Sequence, residues 1–495
     1  MYLDGRTRLR LGTASSRLSR WLAVLFPFSI AGTLWGQGYL VPPQGFQGAP
    51  AVPSMGTVSP PTGQRGGQVD NQTIGRINDA ANGELETTPG QPNANGTAPA
   101  NGEANAPTEG SSSEGGVTPP LAAPVNALMR WGAVNVHLHA AYQFLYDSGV
   151  HVAPGISTIT YTHTLTPGLT MNLGPHVMLD YTPAIRFYSQ KDFHNTVDHS
   201  LNLNGGFHYG DWSFGTSQSL VISDEPLVET SAQTATTIYS AGVAAIYSAN
   251  DKLSLTTSAG VGLVFVDNSI NSTNSGVPIP GQQLQPVTDS QSYNGGERLN
   301  YKFGDTLSCG LGVSFGYTEQ NGGFRSINGT YDANVTWRRP ASKLSASISA
   351  GFQQNIFLDS NASDLWSPIY TAGVTYRPFE QTSLSMSATR GTAASLFANQ
   401  ITEATSVGFG VQQRVLGHLN LSFGLGYTAA DYKSVTSGLK TQRSDDGMSY
   451  SVGLSLPFLQ HCSFGTFYTY SQNTSNAIGF GYSNNQAGAT LSWAY

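Results

Sequence analysis

From Gly132 to Tyr495 apolar and small polar residues alternate, strand after strand, and the breaks between strands are alternately very short and longer. In the stretch Gln486 to Tyr495, Ala487, Ala489, Leu491, Trp493 and Tyr495 fall on one face of a strand. Gly488, Thr490, Ser492 and Ala494 fall on the other. A sheet that is apolar on one face, polar on the other and tightly turned at one end only meets the demands of a bilayer. Every backbone group is paired within the protein, and closure leaves no free edge. The expected fold is all-β: a closed antiparallel transmembrane β-barrel.

Composition separates this reading from its competitors. Only 11% of the residues are charged, against about 25% in a usual soluble domain. Yet the mean hydropathy of -0.19 is not that of a helical membrane protein. A barrel reconciles the two, because its polar face dilutes its apolar one. A soluble sandwich or propeller would need a well-charged exterior, which this chain lacks. The net charge of -7 speaks against nucleic acid as a partner. Cys309 and Cys462 are the two cysteines, too few for a disulfide framework or a metal-type cluster.

Arg6, Arg8, Arg10, Arg17 and Arg20 precede an apolar run from Trp21 to Trp35. Residues 1–36 therefore read as a signal peptide, cleaved after Ala31 or Gly36. The alternative, an anchoring helix, is short of the ~20 residues a span needs. Residues 37–130 are rich in Pro, Gly, Asn, Ala, Thr and Ser and bury too little apolar surface to offset their ordering entropy. They are expected to be a disordered low-complexity linker, leaving 131–495 for the barrel.

Alternation and turn chemistry delimit about 18 strands, with about 16 as the alternative. The first nine spans are 133–146, 157–173, 175–189, 197–209, 212–223, 234–249, 252–266, 289–303 and 305–319. The rest are 324–338, 343–358, 365–377, 381–393, 401–415, 418–433, 446–456, 461–472 and 482–495. Short breaks such as Gly210-Asp211, Asn250-Asp251 and Leu416-Gly417 alternate with mostly longer polar ones such as 224–233 and 267–288. That alternation predicts periplasmic turns, extracellular loops and an even strand count in an outer membrane. Trp212, Phe303, Trp337, Tyr376, Phe458 and Trp493 would form a turn-side girdle. Tyr146, Phe187, Tyr239, Phe265, Tyr317 and Tyr470 would form a loop-side one.

The few strand charges have an informative phase. Asp180, Arg186, Arg298, Lys302, Asp332, Arg338, Arg377 and Arg414 fall on the polar face, and Arg390 on the apolar face near its loop end. A lipid-facing Arg or Lys near the midplane would cost about 2–4 kcal/mol, so lumen placement is expected. Lys302, Arg338, Arg377 and Arg414 each end a descending strand just before a short turn. They could form a basic collar at the periplasmic mouth, as rings of Lys or Arg select anions in pores. The bland reading is that they contact anionic headgroups or cap turns.

Cys309 and Cys462 take the outward phase on strands too far apart to bridge. His137, His139, His151, His163, His176, His194, His199 and His208 gather in the first strands and loops. They read as polar lumen or interface residues rather than a metal or catalytic site. There is no Gly-x-Ser-x-Gly elbow, no His-Glu-x-x-His and no phosphate loop, so neither an enzyme nor a cofactor is expected.

The run Asp198-His-Ser-Leu-Asn-Leu-Asn-Gly-Gly-Phe-His-Tyr-Gly-Asp-Trp212 resembles outer-membrane β-barrel porins associated with exopolysaccharide biosynthesis. So do the stretch from Gly373 to Arg390 and the segment Leu416-Gly-His-Leu-Asn-Leu-Ser-Phe-Gly-Leu-Gly-Tyr427. The resemblance implies an outer-membrane channel that passes polysaccharide. Residues and resemblance together give a porin-like channel for anionic solutes or exopolysaccharide. The alternative is a structural or adhesive barrel with a closed lumen. Expected partners are outer-membrane lipids, the transported polysaccharide or small anion, and the barrel-assembly machinery, which would read the C-terminal strand.

Overall fold

A computed structural model describes residues 129–495, apart from positions 133, 154, 175, 228, 229, 231, 268–286, 339–342, 359, 361, 437, 460 and 495. The expected signal peptide, nearly all of the expected linker and Tyr495 lie outside the described residues. Strand β1 (Met129–Trp131) begins just before the linker boundary expected at 130 and pairs with β2 (Val134–Ala153). The chain then runs through β3 (Ile156–Leu173), β4 (Val177–Tyr188), β5 (Thr196–Tyr209), β6 (Trp212–Leu227), β7 (Ala232–Ser248) and β8 (Leu253–Asp267). Next come β9 (Ser290–Lys302), β10 (Leu307–Gln320), β11 (Arg325–Arg338), β12 (Leu344–Phe357), β13 (Leu365–Phe379) and β14 (Thr382–Ala394). The wall ends with β15 (Gln400–Val415), β16 (Leu419–Ser434), β17 (Lys440–Leu459), β18 (Cys462–Ser475) and β19 (Tyr482–Ala494).

Each of these strands from β2 onward pairs antiparallel with its successor, and β19 returns to β2 in a register running from Gln486↔Asp147 to Ala494↔His139. The result is a closed barrel of 18 wall strands, the higher of the two expected counts. All the wall strands match the spans read from the sequence, and the chief differences lie at loop-side ends. β2 runs on to Ala153 and β17 starts at Lys440, so part of the expected loop length is strand instead. Beyond the bilayer both faces of a strand meet polar surroundings, and the alternation that marks a boundary fades there.

The two faces are as the period requires. Leu311, Phe352 and Met386 project outward, more than half exposed, while Thr160, Gln353 and Thr490 on the inner phase are buried. Ten of the twelve girdle aromatics lie on the outward phase in the observed registers. Phe303, just past β9, and Phe458, at the β17–β18 register slip, are exposed beside the turns. The turn at Gly210-Asp211 joins the pair Tyr209↔Trp212, and Gly210 takes φ 58°, a conformation a tight hairpin demands and a side chain resists. Cys309 and Cys462 are free thiols on β10 and β18, as expected from their places in the strand order.

Candidate functional site: the lumen and its loop-side mouth

The middle of the wall carries a charge pair bridged over a glycine. Arg298 on β9 and Asp332 on β11 both register with Gly312 on β10. With no side chain at Gly312, the guanidinium reaches both carboxylate oxygens at 2.8 and 2.9 Å, and Ser349 Oγ donates to the same carboxylate at 2.8 Å. His139 uses the same device. It lies over Gly168 on β3, and its Nε2 sits 3.1 Å from Thr182 Oγ1 on β4. Thr182 and Thr170 in turn donate to Asp180 at 3.1 and 2.6 Å.

The four residues of the expected collar lie at the turn ends of alternate strands. Lys302 and Arg338 are exposed ends of β9 and β11, and Arg377 and Arg414 are half-buried on β13 and β15. Each shares the inward phase of its strand, although the β13–β14 register slips between Tyr376 and Phe379, next to Arg377. The backbone N–H groups of Arg338, Arg377 and Arg414 donate to carbonyls at the neighbouring turns, those of Thr306, Lys343 and Gln381.

The loop-side charges are joined into pairs whose acidic members the sequence reading did not single out. Arg186 contacts Asp198 at 3.1 Å and also pairs with Glu225. Arg443 holds Asp445 through two contacts of 2.9 Å, and its guanidinium lies over the rings of Tyr432 and Phe480. Arg390, outward as expected, meets Glu403 at 3.6 Å, and Lys433 meets the same carboxylate at 2.8 Å. His163 and His199 lie on the outward phase, each against a tyrosine hydroxyl, that of Tyr142 at 2.7 Å and that of Tyr181 at 2.9 Å. In the β4–β5 loop, the hydrogen bond to Asp224 raises the pKa of His194 above its ordinary value, against the opposing effect of burial.

A feature absent from the sequence reading dominates the mouth. Residues 395–399, between β14 and β15, leave the wall and contact strands on the far side of β9–β13. Leu396 packs on Val264 and Val266 of β8, in a cluster with Leu227, Ile238 and Val287. These β8 residues lie on the inward phase, where the rule of a polar lumen is broken. Thr288 N–H donates to the Leu396 carbonyl at 2.9 Å, and Val287 forms a bridge with Phe397. Gln320, 2% exposed at the end of β10, donates through Nε2 to the carbonyls of Ser395 and Phe397 at 2.7 and 3.3 Å. Its Oε1 accepts from the Asn399 N–H at 3.0 Å. Val435 N–H donates to the Asn399 carbonyl, and Ile401 packs with Phe324, Phe357 and Val435. One signal was present in the sequence: the run Leu263-Val-Phe-Val266, apolar on both faces, marks a wall segment that something must cover inside.

Solved structures similar to this chain include the outer membrane protein OpdK. OpdK of Pseudomonas aeruginosa, solved with vanillate, is 9% identical, covers 73% of this chain and 99% of its own, and gives a TM-score of 0.41. OccAB3 of Acinetobacter baumannii is 8% identical over the same shares, with a TM-score of 0.41. OccK5 (OpdH) of Pseudomonas aeruginosa is 10% identical, covers 73% and 98%, and gives 0.38. No curated protein matches the chain. Its C-terminal part, residues 316–495, from within β10 to the last strand, matches the family described as "Putative beta-barrel porin 2".

Proposed function

We propose that this outer-membrane barrel is a porin-like channel whose lumen passes small anionic solutes or an acidic exopolysaccharide. The observation that carries the reading is the closed wall of 18 strands with a hydrophilic inner face. A barrel of that size leaves an aqueous interior. The preference for anions rests on Lys302, Arg338, Arg377 and Arg414, on the inward phase at the turn ends of alternate strands. Positive groups around a periplasmic mouth raise the local concentration of anions and lower that of cations. In the same proposal residues 1–36 direct export, residues 37–130 form a flexible linker, and the C-terminal strand is read by the assembly machinery.

Planar-bilayer recordings of the reconstituted protein test this reading. In a salt gradient the reversal potential is expected on the anion-selective side and shifts toward zero in Arg377→Gln/Arg414→Gln. Cation selectivity, or a double variant identical to the native protein, would remove the collar. The second reading, a structural barrel with a closed lumen, is favoured by residues 395–399 at the mouth. Bilayers that stay silent with the native protein and with Gln320→Ala alike would establish it.

A further inference from the structure

We infer that the β14–β15 segment is a releasable latch, and that Gln320 holds it across the loop-side mouth. The inference rests on the channel reading above. Strands β14 and β8 have β9 to β13 between them, so a segment confined to the rim would not reach Val264 and Val266. Neighbouring strands lie about 4.8 Å apart, more in six steps than a five-residue turn can reach, so the contact brings the loop-side ends of β14 and β8 together inside the rim.

The fastening is of a kind that can open. It includes the Gln320 carboxamide with its three hydrogen bonds to residues 395–399, the Val287–Phe397 bridge, the Val435 N–H on the Asn399 carbonyl and one inserted leucine. Within the segment, Ser395 Oγ accepts from the Phe397 N–H at 3.1 Å and Ser395 N–H donates to the Gln400 carbonyl at 3.0 Å. The turn therefore keeps its own shape when it leaves the wall. Asn399, at φ 57°, forms the return corner, where Asn is one of the few side chains that accept the left-handed region. Beneath the latch Leu227, Ile238, Val264 and Val266 form an apolar patch on the lumen wall. Displacing Leu396 exposes that patch to water, and this favours reclosure.

The test uses full-length protein, folded and reconstituted in planar bilayers, with Cys309 and Cys462 replaced by serine. Val287→Cys/Phe397→Cys places two thiols at bridged backbone positions, within the span a disulfide accepts. Oxidation is expected to hold conductance at a low, steady level, and reduction to restore openings. Gln320→Ala is expected to raise the open fraction by about tenfold, the loss of one or two net hydrogen bonds. If the thiol pair fails to form a disulfide, the contact is wrong and the latch falls. Conductance unchanged by oxidation and by Gln320→Ala would also overturn the latch while leaving the channel standing. Silence in every variant, the reduced pair and Gln320→Ala included, would instead remove the channel reading itself.

Discussion

At the scale of single residues, the lumen is organised by what is missing from some side chains. A Cβ on Gly312 would lie 2.6 Å from Asp332 Oδ1 and 2.8 Å from Arg298 Nη2, where neither charged group could remain. Gly312→Val is therefore expected to separate the pair and to destabilise the barrel by about 1–3 kcal/mol. Denaturant midpoints of the folded protein in detergent check this, and equal midpoints would show that the pair contributes nothing. Glu297 is the opposite case. It lies in register with Val313 and Thr257 on the outward phase, in the middle of β9, with an exposed carboxylate toward the lipid. Glu297→Leu should stabilise the barrel by about 1 kcal/mol, less than the cost of a basic residue there. Urea unfolding from liposomes measures the gain, and a loss would place Glu297 off the lipid face. The phase of Arg298 was read correctly, and that alone puts its neighbour Glu297 on the apolar face. An exception to the alternation was thus legible, but a rule built on the majority of positions passed over it.

Among the elements, strand position was the legible part, because side chains two apart must agree about lipid and lumen along a whole strand. Loop packing was not. The contact of Leu396 with Val264 joins residues far apart in the chain, and no local period records such a pairing. The same holds for His194, which ties the β4–β5 loop to Asp224 near the end of β6. Its raised pKa fixes the sign of a pH effect. The tie is fully present below the unfolded-state pKa of about 6.5 and is lost as pH rises through the higher folded value. Because the imidazole is half-exposed, the effect is expected to stay under about 1 kcal/mol. His194→Ala should therefore destabilise the barrel at pH 6 and have no effect at pH 9. A penalty equal at both pH values would show that the imidazole acts by packing instead.

For the molecule as a whole, the decisive contact is the one between its first and last wall strands. Ala141 of β2 registers with Ser492 of β19. In a background free of Cys309 and Cys462, Ala141→Cys/Ser492→Cys should form an intramolecular disulfide, detected as a mobility shift on non-reducing gels. Failure to cross-link would point to another strand order. Closure was inferred from the alternation, but the partner of β2 was fixed only by the count, which a single misread hairpin would have changed. Every other wall pairing joins neighbours in the chain. The seam joins residues separated by nearly the full length of the barrel, and Ser148 Oγ, Asp147 and Gln486 fasten its loop end. Loop-closure entropy makes such a contact the slowest to establish. Until it forms, the sheet is a ribbon with two unpaired edges, the state most open to pairing with other chains. Maturation is then a single late event, and a chain interrupted anywhere before β19 has no partial barrel to fall back on.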